Sequence, residues 1–185
     1  MVPQLRKELL RAETVIAEIV RQSGGELVCK TNLYKAFYHA HVEYAAKSGG
    51  YLTNWPIVKM PNGPGIHQAD KLIAGLVRKG VLSIADEPRG DYTAFKFVLN
   101  QDVASPTSLS DDEVAAVKYG VSQVADKSAG RVSHESHKAS RSWRDAAKEG
   151  DELNVYTDRL PDEDYAIMLG RMRHHLGDLR SAAGK

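Results

Sequence analysis

Seven histidines and a single cysteine are the residues of this chain whose types could do chemistry. His134 and His137 stand three apart in VSHESHKAS, and His174 and His175 are adjacent. Imidazoles at such spacing could begin a zinc site, but zinc needs three or four His, Cys or carboxylate ligands that converge. No HExxH or CxxC motif accompanies either pair, so the reading is solvated or hydrogen-bonded histidines, with no metal and no other cofactor. Cys29 could act as a nucleophile only with a base brought beside it, and the local sequence carries no such signature. A lone cysteine cannot form an internal disulfide and reads as a small buried residue in a reducing compartment. The segment PNGPGI at 61–66 resembles a phosphate-cradling loop only superficially. It lacks the GxxxxGK[ST] pattern, and its prolines remove amide donors that such a loop uses. It reads as a structural connection, and no enzyme is expected.

The pattern of charge points to binding. Formal net charge is +1, so no global field draws the chain onto nucleic acid or anionic lipid. Charge is instead segregated along the sequence. Five Lys or Arg lie between Arg131 and Lys148 against Glu135 and Asp145, and seven carboxylates follow up to Asp164 against Arg159. Trp143, Tyr156 and Tyr165 are embedded among them. Complementary charge fixes the register of an interface, and aromatic and Arg side chains anchor it.

At 185 residues the chain suits one domain with an appendage. The N-terminus MVPQLRKELLRAE has no apolar h-region, and no run approaches the roughly 18 apolar residues of a membrane span. A cytoplasmic protein without membrane partners is the expectation. Leu5, Leu9, Ala12, Ile16 and Ile19 alternate at four and three, which predicts a helix from about Pro3 to Arg21. Leu33, Phe37, Ala40 and Tyr44 predict a second helix that stops at Gly49 and Gly50, with Tyr34, Tyr38, His39 and His41 to the sides of its stripe. WPIVKM reads as a short extended stretch. A third helix is expected from Ile66 to Lys79, facing inward through Ala69, Leu72, Ile73, Leu76 and Val77.

From about 81 to 99 the pattern turns to period two, which predicts a β-hairpin with Leu82, Ile84, Phe95, Phe97 and Leu99 inward and DEPRGDY as its turn. Helix, GLVRKGVL and hairpin together outline a winged helix. Ser110 reads as the N-cap of a fourth helix whose first turn holds Asp111, Asp112 and Glu113, with Val114, Val117, Val121 and Val124 on its apolar face. A short helix or turn follows in the 132–154 region. A last helix starts at Pro161 on the stripe Met168, Met172, Leu176 and Leu179, before a fraying tail, SAAGK. The fold class is therefore mainly α, a single helical domain over 1–157 with a small winged-helix-like hairpin, and a C-terminal helix and tail over 158–185. The C-terminal quarter is the part expected to move or to engage a partner.

Three segments in order carry a family likeness: KTNLYKAFYHAHVEYAAKSGGYLTNWPIVKMPNGPGI at 30–66, LIAGLVRKGVL at 72–82 and VSHESHKASRSWRDAAKEGD at 132–151. Together they resemble the Panacea domain, the SocA-like antitoxin family, over about residues 5–157. The matching positions are Lys30, Thr31, Leu33, Tyr38 and His39, then Gly63 and Pro64, then Ser133, His134 and Trp143, then Lys148, Glu149 and Gly150. The chain departs from the pattern in the His-Ala-His of residues 39–41 and in the helix from Pro161. The resemblance implies a type II antitoxin, which binds a toxin encoded beside it and in some systems delivers it to a protease or its adaptor. Some relatives are phage or prophage products, and their toxins are unrelated to one another.

Toxin neutralisation by direct protein-protein binding is accordingly the first functional expectation, with Tyr38, His39, Arg141 and Trp143 as contacts. Gly63, Pro64, Ser133 and His134 are read as structural motif residues, His134 through a hydrogen bond next to Ser133. The alternative is a winged-helix DNA-binding regulator using Lys71, Arg78, Lys79 and Arg89 on phosphates. Against it, Asp70, Asp86, Glu87 and Asp91 occupy the same region, where a binder shows a basic stripe.

Overall fold

The computed structural model describes residues 3–100, 102 and 107–183, with side chains placed between residues 4 and 173 of those spans. Helix α1 (Pro3–Gln22) buries Ala12, Ile16 and Ile19 with Val15 and Val20, while Leu5 in its opening turns stays exposed. After the turn at Ser23, Gly24 and Gly25 comes a strand that periodicity did not reveal, β1 (Glu26–Val28), and then α2 (Lys30–Ser48), which ends on a left-handed Gly49. Strand β2 (Ile57–Met60) matches the expected extended stretch. The segment read as a connection is instead strand β3 (Gly63–Ile66), paired antiparallel to β2 with Ile57 opposite Ile66 and Met60 opposite Gly63. Helix α3 (Ala69–Arg78) therefore begins three residues later than expected.

Strands β4 (Leu82–Arg89) and β5 (Tyr92–Leu99) form the predicted hairpin, with a turn confined to Gly90 and Asp91 rather than the whole of DEPRGDY. Phe97 pairs with Leu27 on one side and Ile84 on the other, so the sheet order is β1-β5-β4. Helix, strand, helix, helix, strand, strand, with the first strand against the last, is winged-helix order. The β2–β3 hairpin is inserted between its second and third helices. Leu82, Phe97 and Leu99 are buried, but Ile84 and Phe95, expected inward, are exposed. The hairpin runs past the helices that cover its root, and Lys30 Nζ lies 4.9 Å from the Phe95 ring centre instead.

Ser110 caps α4 (Asp111–Ser122) in a full capping box with Glu113, two orphan amides being satisfied reciprocally. Glu113 also pairs with Arg11, tying α4 to α1. Helix α4 crosses α2 at Gly120, where a Cβ would run into the Ala36 carbonyl and Ala40. Helices α5 (Ala129–Ala139) and α6 (Arg141–Asp145), a 3-10 turn at Thr157–Arg159 and α7 (Asp162–Ala183) complete the chain. The protein is mainly α with a small β-hairpin. The side chains of His174, His175, Leu176 and Leu179, and residues Gly184 and Lys185 of the expected tail, lie outside the described residues, whereas Ser181–Ala183 continue α7. Among the described residues no helix is long and apolar enough to cross a membrane.

Candidate functional site

Lys35, flanked in sequence by Tyr34 and Ala36, lies on the buried face of α2 and is 1% exposed. Its Nζ donates to the Pro64 carbonyl at 2.7 Å, and among the described residues no carboxylate faces it. Burial pushes its pKa from 10.5 down to about 7, because an ammonium taken out of water loses its hydration without gaining a counter-charge. Strand β3 lies against this face of α2 because Gly63 permits it. Gly63 has φ +98°, and a Cβ there would sit 2.6 Å from Ser136 Oγ, 2.9 Å from His137 Cδ2 and 3.0 Å from Lys35 Nζ. Glycine at position 63 is thus required by close approach between β3, α2 and α5.

Helices α5 and α6 clamp the hairpin from above. Ser133 Oγ donates to the Asn62 carbonyl at 2.9 Å, and Trp143 Nε1–H donates to the Met60 carbonyl at 2.9 Å. The Trp143 ring stacks on His137, centres 4.0 Å apart and planes 7° apart. Lys59 Nζ sits 4.9 Å from the Trp143 ring centre and donates to the Ala146 carbonyl. The outer edge of β2 is closed by residues 150–153: Lys59 N–H donates to Asp151 O, Gly150 N–H to Lys59 O and Leu153 N–H to Ile57 O, at 2.8 to 2.9 Å. The expected motif residues Gly63, Pro64, Ser133 and Trp143 therefore meet in one packed unit. His134 is corrected: it is exposed and its ring makes no hydrogen bond among the described residues, and Ser133 and His137 hold the clamp instead.

A second convergence lies at Asp158. Its carboxylate accepts from Tyr38 OH at 2.7 Å, Ser140 Oγ at 3.0 Å, and both the amide and the hydroxyl of Ser142 at 2.7 and 2.8 Å. Tyr38 is 1% exposed, so its expected role as a partner contact is corrected to an interior anchor. Burial, reinforced by the Asp158 charge, holds its phenol far above the ordinary value. Arg141 is likewise corrected from a free contact. Its guanidinium donates to the Leu160 carbonyl at 2.6 Å, pairs with Asp162 and lies 5.0 Å from the Tyr165 ring centre. Trp143 spends its indole N–H and one ring face inside the clamp. His39 is half-buried beside Tyr38, and burial, then Lys35 and Lys127, lowers its pKa to about 4. The second histidine of the His-Ala-His departure, His41, is buried, bonded through Nδ1 to the Phe37 carbonyl and through Nε2 to Thr53 Oγ1.

Lys35, Asp158 and Asn62 were not singled out from the sequence, and His137 entered only as half of a His pair weighed for zinc. A lysine between Tyr34 and Ala36 carries no sign of its burial, and Asp158 sits in an acidic run that resembles a solvated surface. Among the described residues no cluster of three or more His, Cys, Asp or Glu could hold a metal ion. No protein-family model, curated protein or solved structure matches the chain.

Proposed function

We propose that the chain is a cytoplasmic antitoxin of the SocA-like kind, which neutralises a protein toxin encoded by the adjacent gene through direct binding. The observation that carries this reading is that segments 57–66 and 132–151, distant in sequence and singled out together by the resemblance, pack as one clamp through Ser133, His137 and Trp143. Such a protein needs a rigid scaffold and a surface large enough to bury roughly 1,200–2,000 Å² in total with its partner.

The partner-binding surface in this reading moves from Tyr38 and Trp143 to α7. Arg141 and Tyr165 hold only the start of that helix, Tyr165 OH donating to Asp145. Beyond it Ile167 is 48% and Met172 54% exposed, apolar groups of the kind that anchor a helix in a partner's groove. Delivery to a protease or its adaptor is a further use of the same surface. The test is growth of a host expressing the neighbouring open reading frame, alone and with this chain. Toxicity alone with rescue by the chain supports the reading, and a harmless neighbour removes it. The double variant Ile167→Asp, Met172→Asp should keep the wild-type circular dichroism and lose rescue and copurification.

A second reading, a winged-helix DNA-binding regulator, is favoured by the β1-β5-β4 order with three interleaved helices. Its weakness is charge. Lys71 and Arg78 project from α3 without an ion pair among the described residues, but Lys79 is bound to Glu13 and Arg89 to Glu87. A salt-dependent mobility shift of promoter DNA would put this reading first.

A further inference from the structure

A cavity of about 380 Å³ opens at the start of β2, where segments 51–57 and 152–155 meet beside α2. Its buried lining is apolar: Trp55, Ile57, Leu153 and Val155 are each no more than 5% exposed. His41 joins them from α2, and burial lowers its pKa to about 4, so the interior carries no charge near neutrality. Tyr51, Asn54 and Glu152 stand at the exposed rim. The Tyr51 ring is 47% exposed yet held edge-on against Tyr156, ring centres 4.8 Å apart. Tyr156 is itself tied down by its hydroxyl, which donates to the Gly49 carbonyl. One aromatic wall is thus fixed in place and left uncovered.

The polar groups around the cavity are unevenly committed. Trp55 Nε1–H donates to the His67 carbonyl, His41 Nδ1–H to the Phe37 carbonyl, the Thr53 hydroxyl to His41 Nε2 and Asn54 Nδ2 to Glu8. Acceptors are what remain. The Glu152 carboxylate and Asn54 Oδ1 have no partner among the described residues. Only the exposed Asn154 amide and the Tyr51 hydroxyl, which accepts as readily as it donates, keep an unused side-chain donor at the lining. A second carboxylate, Glu8, stands behind Asn54 and accepts from its backbone and side-chain amides. No Lys or Arg lines the cavity. An apolar interior, an aromatic wall and a rim of unmatched acceptors fit a planar, cationic, donor-rich group. Guanidinium has those properties: it is weakly hydrated, stacks on aromatic faces and carries five N–H donors. An ammonium is compact and strongly hydrated, and gains less from such a wall.

We propose that this cavity takes the guanidinium group of an arginine, stacked on Tyr51 and paired with Glu152, with Asn54 Oδ1 accepting a further N–H. The site does not depend on the antitoxin reading. Nα-acetyl-arginine amide titrated into the full chain, followed by the two indole N–H resonances, tests it. Trp55 should shift saturably, while Trp143, held in the clamp, should not. Nα-acetyl-citrulline amide has the same shape without the charge and should bind at least about fivefold more weakly. Glu152 is exposed and its side chain has no partner in the fold, so Glu152→Gln and Glu152→Lys should leave the Trp143 resonance in place. The first should weaken binding of the arginine amide by about threefold or more, the scale of an ion pair at a solvated rim, and the second should abolish it. Free arginine that binds more weakly than the amide would support a polypeptide as the source of the side chain, and tighter binding would support the free amino acid. Absence of a saturable Trp55 shift, equal binding of the citrulline amide, or unchanged affinity in Glu152→Lys would overturn the proposal.

Discussion

Lys35→Met replaces a buried amine with an apolar side chain of similar length, and the consequence can be worked through proton linkage. The unfolded chain keeps the Lys35 proton up to about pH 10.5, whereas the folded chain releases it near 7. Between those values the unfolded state binds more protons, so this group makes stability rise with pH. Its contribution is lowest and flat below about 7 and complete above about 10.5. The gap corresponds to roughly 5 kcal/mol at about 1.4 kcal/mol per pH unit. Across two pH units within the window, wild-type stability should gain roughly 2.5 kcal/mol from this residue. The Met variant has no such slope, but it leaves the Pro64 carbonyl without its donor, a cost of about 1 kcal/mol. The two curves therefore cross: Met is more stable near neutrality and less stable at the alkaline end. Urea unfolding at a series of pH values from 7 to 10.5 measures both curves, and the other titrating groups cancel in the difference. Parallel curves would refute the reasoning, because they would mean that Lys35 keeps an ordinary proton in the folded chain.

Gly63→Ala combines a left-handed backbone with a Cβ 2.6 Å from Ser136 Oγ, and should cost at least about 2 kcal/mol in urea unfolding. Asp158→Ala removes the carboxylate that accepts from the buried Tyr38 hydroxyl and from Ser140 and Ser142, and should cost about 3 kcal/mol or more. Adding Tyr38→Phe to it should recover part of that loss, which a double-mutant cycle reads as coupling. Arg141→Glu should release the start of α7, seen as faster amide exchange over residues 162–173, while the melting temperature of the body changes little.

Regular periods carried most of the fold in the sequence. The apolar stripes of α1 and α2, the alternation of β4 and β5 and the Ser110 cap all lie in segments long enough for a period or a cap pattern to stand out. Strand β1 is three residues long, too short to show alternation. Strand β3 is Gly-Pro-Gly-Ile, a composition poor in strand formers, and it exists because the surrounding helices bury it. The exposure of Ile84 and Phe95 has the opposite origin: alternation marks a face of a sheet but not how far its cover extends. The candidate site was legible only in outline. Gly63, Pro64, Ser133 and Trp143 meet, but the groups that decide its electrostatics, Lys35 and Asp158, are defined by burial and by partners more than 20 residues away in the chain for Lys35 and 16 or more for Asp158. Within the C-terminal quarter, expected to move or to engage a partner, residues 140–159 are hydrogen-bonded into the β2–β3 hairpin and α2.

The edge of β2 is closed by backbone pairing with residues 150–153. During synthesis the first hundred residues emerge with every element of the winged helix, but with this edge still bare. Its closing partner leaves the ribosome only after a further fifty residues. The nascent protein thus passes through a stage in which one strand offers an open ladder to any passing extended chain, and the clamp that α5 and α6 place over it also ends that exposure.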